Sequence, residues 1–440
     1  MKNQKRWNIE SANLPDYWLN LASLVKDEYP LPLESHSDSA ATIETLSGLY
    51  SAECARVELL DGKYGTEREI SIPGEVFDRY LSYRATPLVR ATEFEKYLQY
   101  DGQIYYKSEG SNPGGSHKPN TAFAQAYYAK QQGLRGVVTD TGAGQWGTSL
   151  AMAAHTFGLE CIVFMTQSSY RDKPYRRYMM QLAEAEVYPS PSSLTERGRG
   201  LLAEDPNHVG SLGIGMGEAM EYAQMRGDYR LALGCMAYHA SMHQTIVGLE
   251  LIQQIDEAEI EPDIIVGCVG GGSSLVGFSA PFLEKKIKGL ESPRIVAAES
   301  SNAPSLTKGE FRYDHADTFE YTPKFKMYTL GHEFVPPRIH AGGLRYHGKA
   351  TILSLMAEKG YVEAMDITQE DAFRAGKTFF LVEGLLPAPE SSHAISAVTT
   401  VVKEAQTAGK APTIVMSITG NGYLDLQGYA TQLNLLSQAP

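Results

Sequence analysis

The chain has 440 residues, with 39 Lys and Arg against 52 Asp and Glu, for a formal net charge of −13. That acidic balance, spread without long runs of one sign, excludes the basic footprint a nucleic-acid groove needs. Hydrophobic content of 43% and charged content of 21% are those of a globular protein, and the length predicts two domains rather than one.

Residues 1–83 are mixed in character. Pro15, Pro30, Pro32 and Pro73 interrupt any regular period there, so the segment reads as an irregular lead-in packed on the core. MKNQKRWNIE is positively charged but has no apolar run behind it, which argues against a secretory leader. Beyond residue 84, apolar runs alternate with helical stretches. QIYYK (103–107) predicts a strand, and NTAFAQAYYAKQQG a helix ending at Gly133. GVVT (136–139) is a strand before a glycine turn and the helical GTSLAMAAHTFG. LECIVFM (159–165) is a strand, residues 176–185 a helix, and EVYPS a strand. DIIVGCV, PRIVAAE and PTIVMSI are later strands, each with a helical pattern nearby. Such alternation predicts α/β architecture, parallel sheets with helices on both faces, and ligands held outside the carboxyl ends of the strands.

Two uncharged stretches mimic membrane spans. Residues 264–283 are rich in glycine and serine, and residues 231–249 carry His239, His243 and Gln244. Both read as core of a cytoplasmic protein. The four cysteines (54, 161, 235 and 268) contain no CxxC pair and read as buried thiols, with no disulfide framework and no metal site.

Four loops carry chemistry. EGSNPGGSHKPNTA places Lys118 at a helix start, where the helix dipole favours a neutral, nucleophilic amine; a solvated lysine is the plainer reading. TDTGAGQWGTS offers Thr141, Gly142, Ala143, Gly144 and Gln145 as an anion nest suited to a carboxylate or phosphate, or a simple turn. Asp140 beside it is a helix cap or an acid/base group. VGCVGGGSSLVG, with Gly270, Gly271, Gly272, Ser273 and Ser274, suits one phosphate and is neither a Walker A nor a dinucleotide loop. SITGNGYLDL offers Ser417 or Thr419 as a neutral hydroxyl at a strand end, or ordinary turn chemistry.

In this order the loops resemble the tryptophan synthase β-subunit family of fold-type II pyridoxal phosphate enzymes, in its second-type, stand-alone branch. The resemblance runs from RATPLVRA to the C-terminus through GSHKPNTAFAQAYYAK, TGAGQWG, KPYRRYMM, PSPSSLTERGR, EDPNHVGSLGIG, HQTIVGLE, GCVGGGSS, KMYTLGHEFVPPRIHAGGLRYHG and EGLLPAPESSHAI. It implies two doubly wound three-layer (αβα) domains. Residues 84–117 with 245–440 would form the larger, cofactor-binding one, and 118–244 the smaller, carrying the carboxylate loop. It implies that Lys118 bonds pyridoxal 5'-phosphate, with His117 near the phosphate in the GGGSS loop (Gly270 to Ser274). It further implies Thr419 at the ring nitrogen, TGAGQ on the amino-acid carboxylate, and Glu383 of EGLLPAPE near the ring. A helix-cap role for Glu383 stands beside that. A monovalent cation and a homodimer also belong to the family, and an α-subunit partner stays open.

The implied reaction is β-replacement on L-serine through an aminoacrylate, with indole as the expected nucleophile. Three departures bear on it. Asp140 stands where the family has an acid/base glutamate, Ser274 where it has asparagine, and Thr419 where it has serine. A shorter acid retracts the carboxyl by roughly 1 Å, a misplacement that can cost about 10²-fold in rate. The alternative is therefore another nucleophile, or release of the product in the manner of a serine/threonine dehydratase. A catalytically weak cofactor-binding or regulatory subunit is a third reading.

Overall fold

The structure is a computed structural model and describes residues 4–435. Strands β1 (Arg6–Trp7), β2 (Tyr17–Leu19), β3 (Glu69–Ser71), β4 (Leu88–Arg90) and β5 (Ile104–Ser108) come first. Strands β6 (Gly136–Thr141), β7 (Glu160–Thr166), β8 (Glu186–Ser190) and β9 (Tyr229–Leu231) come next. The rest are β10 (Ile264–Val269), β11 (Arg294–Ser300), β12 (Glu310–His315), β13 (Lys324–Thr329), β14 (Glu363–Ile367) and β15 (Ile414–Ile418).

The larger sheet has the order β1-β4-β5-β15-β10-β11-β14. From β5 to β14 its pairs are parallel, and β4 and β1 add two antiparallel pairs at one edge. The smaller sheet, β8-β7-β6-β9, is parallel throughout. Strands β5, β6, β10 and β15 are buried along their whole length, as continuous apolar runs covered on both faces should be. Their alternating residues enter different cores. Ile265 and Val269 pack with Leu275 and Phe278 of helix Ser273–Ile287, whereas Ile264, Val266 and Cys268 pack with Ile395 and Val398 of helix Pro389–Thr407. In the smaller sheet Val137 and Val163 share a core with Leu150 of helix Gln145–Thr156. Val138 and Phe164 share another with Met216 and Met220 of helix Leu212–Arg226. Helices thus cover both faces of both sheets.

The N-terminal segment departs from the irregular lead-in expected of it. It forms helices Ile43–Leu49, Ala52–Glu58 and Gly74–Leu81 and the antiparallel pair β2–β3. Its prolines punctuate these elements rather than prevent them: Pro73 is the residue immediately before the third helix. The two uncharged stretches resolve into short helices and a strand–helix unit. Among the described residues no helix is long and apolar enough to cross a membrane. All four cysteines are free, with Cys54, Cys161 and Cys268 buried and Cys235 partly so.

Candidate active site

Each of the four loops leaves the carboxyl end of a strand, β5, β6, β10 or β15, the ligand-binding end of an open α/β sheet. Lys118 directly precedes helix Pro119–Gln131, and its Nζ donates to the Gly234 carbonyl at 2.7 Å. It lines two cavities, of about 520 and 410 Å³ counting the space open to solvent at their mouths, that share Gln145, Cys235 and Gly343 as walls. Its loop is stitched to the exit of β15. The His117 N–H donates to the Thr419 carbonyl at 2.9 Å, and the Asn421 N–H to the Gly115 carbonyl at 3.0 Å. Burial, then the Lys118 ammonium beside it, push the His117 imidazole down to about 3, so it is neutral.

The larger cavity holds Asp140 near the end of β6. Burial raises its carboxyl to about 7, against smaller opposing effects from its own backbone N–H and from Lys118. Asp140 is the only carboxyl among the lining residues. Thr141, Gly142, Ala143 and Gln145 line the same cavity. Gly144 turns the chain into helix Gln145–Thr156 at φ +94°, and a Cβ there would lie 2.7 Å from the Arg176 Cβ. In that first turn the Gly147 N–H donates to Thr141 Oγ1 at 3.2 Å, and the N–H groups before it are the expected carboxylate contacts. The other walls are Trp146, Leu212, Met216, Leu233, Met236 and Tyr346. Trp146 is held by donation from its Nε1 to Thr139 Oγ1 at 2.6 Å.

The smaller cavity is bounded by Gly270, Gly271, Gly272, Ser273 and Ser274, with His117, Cys268, Glu390 and Thr419. Gly272, at φ +108°, starts helix Ser273–Ile287. A Cβ on Gly270 would fall 2.1 Å from the Gly343 carbonyl oxygen, and one on Gly271 2.8 Å from Cys235 Sγ. Only a side-chain-free backbone fits this cradle at a helix N-terminus. An amine on one side and a glycine cradle on another fit the aldehyde and the phosphate of pyridoxal phosphate, and Thr419 adds a neutral hydroxyl to the same cavity.

Glu383 is not part of this constellation. It ends helix Gln369–Glu383, and its Oε1 accepts from the Glu93 and Phe94 N–H groups at 2.9 and 2.8 Å, capping helix Thr92–Tyr97. The expectation that placed it near the ring is corrected: seven residues on, Glu390 of the same motif lines the smaller cavity. EGLLPAPE contains two glutamates, and the signal that separates them is Pro389, which opens the helix carrying Glu390 toward the cavity. Cys235, Cys268, Gly343, Tyr346 and Ser391 also escaped sequence reasoning, because no motif logic singles out a lone cysteine or a turn glycine.

Behind Lys118 lies a buried charge network. Arg84 pairs with Glu109 at 3.0 Å and also with Glu250, which holds Lys107 at 2.6 Å. Burial alone would raise the Glu109 carboxyl, but the Arg84 guanidinium, with Lys107 and the Thr86 hydroxyl, outweighs it and holds the group at about 2. Asn120 links Arg84 to Gln244, whose amide donates to the His117 carbonyl at 3.2 Å.

The sequence matches the profile of the family described as pyridoxal-phosphate dependent enzyme over residues 80–420. It is 45% identical to tryptophan synthase beta chain 2 of Thermotoga maritima over 96% of this chain and 99% of that protein. It is also 45% identical to tryptophan synthase beta chain 2 of Aeropyrum pernix over 98% of this chain and 95% of that one. Among solved structures, a pyridoxal 5'-phosphate-dependent aspartate racemase superposes with a TM-score of 0.56 at 18% identity. The match covers 79% of this chain and 93% of the racemase, a likeness of fold.

Proposed function

The chain belongs to the pyridoxal-phosphate-dependent enzymes, in their tryptophan synthase β-chain branch, and from that premise we propose that it couples L-serine to indole by β-replacement. It is a lyase, with pyridoxal 5'-phosphate as its cofactor. The observation that carries the reading is that Lys118 and Asp140 face one cavity whose other walls beyond the carboxylate loop are largely apolar. A flat apolar nucleophile fits such walls, and one carboxyl beside them is enough for the proton traffic.

Bound in the smaller cavity, pyridoxal phosphate supplies an electron sink for charge at the substrate α-carbon. Lys118 holds the cofactor and moves the proton at that carbon. The glycine cradle and the first N–H groups of helix Ser273–Ile287 take the phosphate dianion. The 141–145 loop orients the serine carboxylate at the start of its own helix. Asp140, ionising near neutrality, delivers a proton to the departing serine hydroxyl and removes one from the attacking nucleophile. Leu212, Met216 and Met236 keep water out of the cleft, which suppresses hydrolytic diversion of the substrate to pyruvate and ammonia.

The reading also assigns residues 84–117 with 245–440 to a cofactor-binding domain and 118–244 to a smaller one; the strands of the two sheets support this division except for β1, which joins the larger sheet from Arg6–Trp7. It makes the protein a cytoplasmic homodimer. The test is to incubate the loaded enzyme with serine and a panel of nucleophiles including indole, and to identify products by mass. Tryptophan as the dominant product supports the proposal, and absence of any indole adduct alongside another adduct overturns it.

A further inference from the structure

Thr419 has one hydroxyl and a choice of partners, and the structure restricts that choice through Ser391. Ser391 is fully buried in helix Pro389–Thr407. Its Oγ receives the backbone N–H of Thr419 at 3.0 Å and that of Gly420 at 3.2 Å. A serine hydroxyl has two lone pairs and one proton, so both acceptor positions are filled and the proton must be donated. Two acceptors are in reach, Thr419 Oγ1 at 3.0 Å and the Gly420 carbonyl at 3.4 Å. The second is beyond the usual O–H···O range and already receives the Ala388 N–H at 2.9 Å. Ser391 therefore donates to Thr419.

It follows that Thr419 cannot donate back. Its own proton is left with Cys268 Sγ at 3.6 Å, a weak acceptor, or with the cavity that Thr419, Cys268 and Lys118 line together. We propose that Ser391 is a positioning residue that fixes the Thr419 hydroxyl as a hydrogen-bond donor into the cofactor cavity. This rests on the proposed β-replacement function and on the family resemblance, which implies that Thr419 would face the cofactor's ring nitrogen. A hydroxyl locked as donor holds that nitrogen unprotonated, since a protonated ring would bring a second donor to the same contact. Unprotonated, the ring is the weaker electron sink, which suits elimination and replacement at the β-carbon over chemistry that needs full charge delocalisation. A threonine alone, free to rotate, would hold either form of the ring.

The test is a double-mutant cycle on the full-length protein loaded with ring-15N pyridoxal phosphate, using Ser391→Ala, Thr419→Val and the pair. Cofactor dissociation constants and the 15N shift of the ring nitrogen are the readouts. Ser391→Ala is expected to weaken cofactor binding about tenfold in the parent background and less than about twofold beside Thr419→Val. The parent nitrogen shift is expected to stay flat between about pH 6 and about pH 9, while that of Ser391→Ala moves toward the protonated-ring value as pH falls. Equal losses in both backgrounds, or a flat shift in Ser391→Ala, would overturn the proposal and leave Ser391 a backbone cap for 419–420. If Ser391→Ala does not fold, Ser391→Cys keeps the volume, with a weaker donor and acceptor, and must shift the nitrogen in the same direction. A parent that takes up no cofactor overturns the functional reading itself, an outcome distinct from failure of the cycle.

Discussion

Glu390 accepts the backbone N–H of Gly343 at 2.9 Å through Oε1, while its Oε2, buried in the wall of the smaller cavity, has no partner among the described residues. A buried carboxylate oxygen without a partner is costly unless a ligand group satisfies it. Glu390→Ala is expected to lower kcat by roughly 10- to 10²-fold and to weaken cofactor binding. Glu383→Gln, which touches only a helix cap, should leave kcat alone and cost about 1 kcal/mol of stability. Steady-state kinetics beside urea melts of both variants separate the two glutamates, and the reverse pattern would reinstate Glu383 at the site.

What the residues made legible, and what they did not, depends on how local each feature is. Strand β10 and the glycine turn after it are readable because a continuous apolar run and three glycines are local signals. Lys118 is readable because its position at a helix start is written in the adjoining residues. Glu390 and Ser391 are not, because their role depends on Gly343 and on Thr419, 47 and 28 residues away in sequence. The N-terminal helices were hidden for another reason: with prolines between elements and short helices of seven or eight residues, no period persists long enough to register. Trp18, fully buried against the main core, shows that tertiary packing decides that segment.

Lys118 is expected to be the one lysine fixed to the cofactor by borohydride, with bleaching of the visible absorbance. A peptide map placing the adduct on another lysine would contradict the assignment. Lys118→Ala should abolish turnover while retaining measurable cofactor affinity, because the cradle at Gly270 to Ser274 is untouched.

The cradle itself is expected to tolerate no side chain. Gly271→Asp sets a carboxylate against Cys235, at a distance that already leaves no space for a Cβ, and next to a dianionic phosphate. Cofactor affinity should fall by at least about 10²-fold, on the order of 3 kcal/mol. Parental affinity in this variant would reduce the loop to a plain turn.

The buried network behind Lys118 predicts a stability effect with a functional signature. Glu250→Ala leaves Arg84 and Lys107 with one carboxylate for two buried cations, and removal of one partner from such a set costs about 3–5 kcal/mol. Glu250→Gln keeps the shape and loses the charge, so it should fall between Ala and parent in urea melts. A loss below about 1 kcal/mol for Glu250→Ala would mean that water enters and solvates the cations.

Asp140 joins stability and chemistry, and its sign can be worked out. An unfolded aspartate ionises near pH 4, while burial raises the folded group to about 7. Between those values the folded chain binds more protons than the unfolded one, so the stability this group contributes to the cofactor-free protein is lost as pH rises through that window. Asp140→Asn removes the titration. Its unfolding free energy should exceed the parent's above about pH 7, by on the order of 1–3 kcal/mol, and converge with it below about pH 4. Activity runs the other way, since Asn neither gives nor takes the proton and turnover should drop roughly 10²- to 10⁴-fold. Asp140→Glu then distinguishes an impaired indole site from one shaped for something else. A Cβ on Gly215 would lie 3.1 Å from the Asp140 Cβ, so the base of the side chain is confined and a longer acid can extend only into the cleft. If the retracted carboxyl limits indole coupling, Glu restores reach and product formation rises. If the cleft is fitted to a bulkier partner or a better leaving group, Glu occupies its space, and the native rate falls while indole coupling climbs.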